Sequence, residues 1–198
     1  MNYLAHAFLS FNHPDILAGN MISDYVKGKT KFDYPVSIQK GIHLHRLIDE
    51  FTDAHPVTAK AKSFFRPQYR LYSGAFIDVV YDHFLALDQK QFEVYGSIEK
   101  FSQSTYQLLE TNFSLFPLPF QKMFPYMKSQ DWLYNYQFTY GVQKSFQGLV
   151  HRAAYLNESE IAFDIFNQNY AELRNCYDEF FPELSSFASE NVSNLLAV

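Results

Sequence analysis

The sequence is short of the residues on which several fold and function classes depend. Its single cysteine, Cys176, excludes an internal disulfide framework and a thiolate zinc site, and fits a reducing compartment. Glycine and proline number only 7 and 8, too few for a sheet protein built on many tight turns, so helices are expected. No apolar run approaches the roughly 20 residues needed to cross a bilayer. The opening MNYLAHAFLSFNHPD has no basic leader ahead of a small-residue cleavage site. The reading is a cytoplasmic protein with no membrane partner. There is no Gly-rich phosphate loop, no G-x-S-x-G elbow and no H-E-x-x-H pair. A net charge of -5 argues against a general nucleic-acid binder.

What is present suits one packed domain. The 198 residues are 47% apolar and 19% aromatic, enough for a sizeable core, and no repeat, low-complexity tract or linker divides residues 1–198. The charge is uneven. Residues 27–70 hold nine Lys or Arg against four acids, a net +5 within a chain of -5. Such a segment reads either as a solvated surface or as a basic face to which an acidic partner is steered.

Apolar residues recur at three- and four-residue steps almost throughout, as in Phe163, Phe166, Tyr170, Leu173 and Tyr177, which is the stripe of an amphipathic helix. The pattern predicts an all-α, multi-helix bundle. Its expected helices span 2–11, 15–27, 36–54, 57–65, 68–87, 90–112, 118–128, 131–150, 158–176 and 179–196, with proline or glycine at the joints. Asp88 with Gln91, and Asn157 with Glu160, give capping-type starts.

Five of the seven histidines precede residue 60 and share that region with acids in an apolar setting. In GIHLHRLIDEFTD, residues 41–53, His45, Asp49 and Asp53 stand at four-residue steps, so a helix puts them on one face that could hold a metal. His43 points elsewhere, about 200° away. In FIDVVYDHFL, Asp78 and Asp82 are one turn apart with His83 beside them, and carboxylates among so many apolar residues are costly unless paired or bound to a cation. His6 and Asp24 lie in two further apolar helical patterns. Each alone reads as a core polar group, but four helices offering such groups can converge on a metal inside a bundle. Imidazole and carboxylate without thiolate suit Mn, Fe, Co or Zn better than Ca. Arg46, beside His45, reads as a phosphate clamp or as a surface arginine.

The segments NYLAH, GNMISDYVKG, GIHLHRLIDEFTD and DVVYDHFL, followed by Trp132 and Arg152, resemble the acyl carrier protein phosphodiesterases, most tightly in the first 90 residues. The resemblance implies a helical, divergent HD-domain phosphohydrolase with a divalent metal, often manganese, Mg, Fe, Co or Zn being the alternatives. It implies cleavage of the phosphodiester between 4'-phosphopantetheine and a serine of acyl carrier protein. The positions carried over are His6, Asp24, His43, His45, Arg46, Asp49, Asp53, Asp78, Asp82 and His83. His45, Asp49, Asp82 and His83 are expected to form the core of the metal site, with His6 and Asp24 completing it. Arg46, His43 and Asp78 are expected on the catalytic side, and an acidic carrier protein on the basic face within 27–70. No His-Asp dipeptide occurs in the chain, only the reversed Asp82-His83, so the ligand set is expected to depart from that of the wider superfamily. A hydrolase of small phosphodiesters and a non-catalytic binder of an acidic partner are the competing readings.

Overall fold

The computed structural model of the protein describes residues 1–197, and among these all regular structure is helical. Twelve α-helices follow one another: α1 (Tyr3–Phe8), α2 (Pro14–Ile22), α3 (Val36–Ala54), α4 (Pro56–Tyr69), α5 (Ser73–Leu87), α6 (Gln89–Phe92), α7 (Ile98–Thr111), α8 (Leu118–Ser129), α9 (Trp132–Asn135), α10 (Thr139–Arg152), α11 (Glu160–Gln168) and α12 (Tyr170–Ala197). Among the described residues, no helix is long and apolar enough to cross a membrane.

The all-α expectation holds, while several boundaries move for identifiable reasons. The helix expected over 2–11 stops at Phe8, because Phe11 and Asn12 take left-handed backbone, with φ of 47° and 60°. The one expected over 15–27 tightens after Ile22 into a 3-10 turn, Ser23–Tyr25, which swings Asp24 outward. The span 90–112 is cut at Gly96, whose φ of 82° suits glycine, and α7 restarts where Ser97 Oγ accepts the N–H of Lys100. The break expected between residues 176 and 179 does not occur, and α12 runs on through Pro182. Phe180, Phe181 and Leu184 are buried around Pro182 within α12, and this packing offsets the lost hydrogen bond.

Two packing features place the site. Helix α5 is the central post: Phe76, Ile77, Val79, Val80, Tyr81, Phe84 and Leu85 are all fully buried, and it touches α1, α4, α10 and α12. Each such large side chain contributes about 1.5–3 kcal/mol on removal from water. Helices α2 and α3, in turn, meet backbone to backbone. A β-carbon on Gly19 would lie 2.1 Å from the Ile38 carbonyl oxygen, and one on Gly41 would lie 2.3 Å from that of Ile16. Only glycine permits this approach. It sets Asn20, next to Gly19, against His45, one turn beyond Gly41.

Candidate metal centre

The four-residue step on α3 does what helical geometry requires, and His45 and Asp49 face the same way. His45 Nε2 lies 3.1 Å from Asp49 Oδ2, and His6, from α1, brings its Nε2 to 3.3 Å from Asp49 Oδ1. Asp24, thrown outward by the 3-10 turn, places Oδ1 3.3 Å from His45 Nε2. The two imidazoles stack, with centroids 4.0 Å apart and planes 14° from parallel. Both rings are buried, whereas the Asp24 side chain is 72% exposed, so the cluster opens to solvent on that side.

The hydrogen bonds behind the rings fix their protonation. His45 Nδ1 is 2.8 Å from the main-chain carbonyl oxygen of Asn20, an acceptor only, so Nδ1 carries the hydrogen. That carbonyl is free to accept because it belongs to the last turn of α2. His6 Nδ1 is 2.8 Å from Asn20 Oδ1, while the Asn20 amide nitrogen donates to the His6 carbonyl oxygen at 2.8 Å and to Ser10 Oγ at 3.1 Å. With the amide so oriented, Oδ1 accepts and His6 Nδ1 donates. One asparagine thus orients two imidazoles, and both turn their Nε2 atoms toward the same carboxylate. Neither Nε2 has a hydrogen bond of good geometry, despite the nearby carboxylates.

The electrostatics match this arrangement. Burial, together with the neighbouring His45, lowers the His6 pKa to about 4. Burial works against the charged form of His45 too, but the adjoining carboxylates of Asp24 and Asp49 outweigh it and raise its pKa to about 9. Burial opposes ionisation of Asp49, yet the two histidines and the Met1 ammonium hold its carboxyl far below the usual range. Asp24 is lowered mainly by its contact with His45. The carboxylates of Asp24 and Asp49 thus favour positive charge beside the two rings.

The site fits a divalent cation. His6, His45 and Asp49 each offer one ligand atom, all within 4.8 Å of one another. Donors about 2.1 Å from a common ion stand about 3.0–4.2 Å apart, close to what the cluster presents. Imidazoles whose Nδ1–H is anchored and whose Nε2 is unpartnered are the form in which histidine binds metal. The family model described as "Acyl carrier protein phosphodiesterase" matches residues 1–184. The chain belongs to that family. Among proteins named acyl carrier protein phosphodiesterase, the one from Photorhabdus laumondii is 28% identical, with 92% of each chain covered. That from Yersinia pestis is 30% identical over 93% of this chain and 95% of the relative, and that from Klebsiella pneumoniae 30% identical over 95% and 97%. No solved structure gives a significant match.

The other residues that the acyl carrier protein phosphodiesterase resemblance implied are placed differently. Asp82 does not join the cluster. It is fully buried on α5, and its carboxylate accepts the main-chain N–H groups of Asn2, Leu4 and Ala5 at 3.2, 2.7 and 3.3 Å. It therefore serves as a remote cap for α1, the helix that carries His6. Burial raises its pKa to about 7, against the pull of the Met1 ammonium and those amides. His83 stands apart as well, with Nδ1 2.7 Å from the Tyr136 carbonyl oxygen and Nε2 3.0 Å from Tyr170 Oη, so both ring nitrogens are engaged. Asp78 lies alongside the cluster. Its Oδ1 is 3.0 Å from the Met1 ammonium, which is also 3.5 Å from Asp49 Oδ1. Asp53 turns to Lys62, at 2.6 Å. His43 and Arg46 are exposed on the other side of α3, in a hollow with Lys31 and Lys40.

The residue that sequence reasoning passed over is Asn20. An asparagine in the apolar stretch GNMISD, one residue after a glycine and four before Asp24, is the only signal the sequence offers for it.

Proposed function

We propose that the protein is a metal-dependent hydrolase that frees 4'-phosphopantetheine from holo acyl carrier protein, with His6, His45, Asp49 and Asp24 as the metal donors. The observation that carries this reading is the pair of buried, unpartnered Nε2 atoms converging on one carboxylate while Asn20 holds both Nδ1 hydrogens away. The family membership supplies the substrate. Manganese is the ion we assign, because the family resemblance implies it and because mixed imidazole and carboxylate donors without thiolate suit Mn, Fe, Co or Zn better than Ca. A cation there supplies a bound water of lowered pKa and neutralises a phosphoryl oxygen. In the reaction, water adds at phosphorus and the bond to the serine oxygen breaks. The serine leaves as a hydroxyl, and the phosphate stays with the pantetheine.

The chain's own residues have three tasks. Asn20 orients the two imidazoles, Asp82 holds α1 and with it His6, and exposed Asp24 borders the open side where a phosphate enters. For the carrier protein, the open cleft lined by Arg66, Arg70, Leu71 and the Lys62–Asp53 pair is the docking surface we propose. Asp78 lines the same cleft and reaches the Met1 ammonium, so this basic face adjoins the centre. Leu71 is 98% exposed there, an apolar contact amid cations that suits an acidic protein.

The test is incubation of the purified protein with holo carrier protein and Mn, followed by intact-mass measurement of the carrier. Loss of the arm with Mn, and its retention after chelation, is the expected result. An unchanged carrier beside turnover of small phosphodiesters would contradict the assignment.

A further inference from the structure

One face of α10 is free of bulk. Gly141, Ser145 and Gly148 follow at steps of four and three residues and lead to Arg152, four further on, so they form a single stripe. Together with the rings of Trp132, Tyr136 and Tyr140, this stripe lines a cavity of about 470 Å³, a volume suited to a small molecule. Gly141 brings the walls together, since a β-carbon there would sit 2.1 Å from the Asn135 carbonyl oxygen. Gly148 leaves space for the guanidinium of Arg152, whose Nη1 would lie 3.3 Å from a β-carbon at that position.

The cavity and the metal centre have a common wall. Asn2 and Tyr3 line the cavity, and Asn2 directly follows the residue whose ammonium contacts Asp49. Tyr3 Oη is 3.1 Å from the hydroxyl of Tyr25, the residue after Asp24. Exposed Arg152 lines the same cavity as Asn2 and Tyr3, the two residues that border the centre.

We propose that this cavity receives the pantetheine arm, with the Arg152 guanidinium taking the phosphate at the end that faces the metal centre. The inference rests on the hydrolase reading above and names the part of the substrate bound here. The arm is an uncharged chain of methylenes, a geminal dimethyl group and two amides. Apolar ring faces suit its hydrocarbon, while the Gln130 amide nitrogen and the Ser145 hydroxyl on the lining offer partners for its amides. A planar guanidinium can take two phosphate oxygens at once. The basic cleft beside Asp78 has cations but no aromatic walls, and so suits the protein and not the arm.

Calorimetry on the Mn-loaded protein with free 4'-phosphopantetheine and with pantetheine, which lacks the phosphate, tests this. Ser145→Trp fills the chamber and should weaken both ligands about tenfold or more, and Arg152→Gln should weaken 4'-phosphopantetheine about tenfold while leaving pantetheine within about twofold. Arg152 is exposed, so its replacement leaves folding intact even if the Ser145 variant misfolds. Failure of the wild type to bind either compound, or equal losses of both ligands in Arg152→Gln, would overturn the proposal. If the wild type releases the arm from holo carrier and both variants keep its KM, the cavity assignment alone falls. If the wild type releases no arm, the hydrolase reading falls with it.

Discussion

Replacing Asn20 by Ala should separate metal affinity from folding. The fully buried side chain makes three hydrogen bonds, to His6 Nδ1, the His6 carbonyl oxygen and Ser10 Oγ. In the variant the His6 carbonyl still accepts from Ser10 Oγ at 2.8 Å, and His45 Nδ1 still has the main-chain carbonyl of residue 20. The principal orphan is therefore the His6 Nδ1 hydrogen. One unsatisfied buried donor costs about 1–3 kcal/mol. With a modest cavity added, the stability loss should be about 3 kcal/mol, a fall of roughly 6–12 °C in Tm for a chain of this size. Loss of a histidine's supporting hydrogen bond typically weakens metal binding about 10–100-fold, and here the ring is also free to flip. The assay is a competition titration of Mn against a chelating dye, at a temperature where wild type and variant are both folded. Ser10→Ala is the control, since it loosens the same network without touching the His6 ring and should lower Tm while keeping affinity within about threefold. If Asn20→Ala lost stability but bound Mn as tightly as the wild type, the claim that Asn20 presents the imidazoles would be refuted.

Three further outcomes are expected. Asp82→Ala strips the acceptor from three amides at the start of α1, so thermal denaturation should show a loss of roughly 3 kcal/mol or more, and Mn affinity should fall as His6 loosens; normal affinity would contradict the positioning role. His83 has its pKa lowered from 6.5 by burial, so the unfolded chain binds the extra proton first and stability declines as pH drops through 6.5 toward the folded value. Chemical denaturation of His83→Gln beside the wild type should show a shallower decline below pH 6.5, and parallel curves would count against it. Reversing Arg66 and Arg70 to Glu should raise KM for holo carrier protein about tenfold at low ionic strength, with the effect shrinking in about 0.5 M salt; steady-state kinetics showing an unchanged KM would move the docking surface elsewhere.

Helical periodicity carried the fold class because apolar spacing is a local property, and the same arithmetic put His45 beside Asp49. Where α12 passes through Pro182, and where left-handed Phe11 and Asn12 end α1, tertiary contacts overrode local signals. The clustering of histidines and acids before residue 60 located the centre's neighbourhood. Residue type alone could not separate the proposed donors from groups that pair elsewhere. Asp82 and His83 carry the same residue types as the cluster, yet Asp82 caps a helix 77 to 80 residues away in sequence, and His83 spans Tyr136 and Tyr170. Asn20 went unread because its role depends on the Gly19·Gly41 contact, which is visible only once two helices are laid together. Trp132 and Arg152 are legible in the sequence as late landmarks of the resemblance, and only the fold shows them lining one chamber.

The central claim is a divalent cation between His6, His45 and Asp49. Anomalous diffraction from crystals grown with Mn measures it most directly. One strong peak is expected within about 2.3 Å of both Nε2 atoms and an Asp49 oxygen. A difference map without such a peak, or with the ion held at Asp82 and His83, would contradict it.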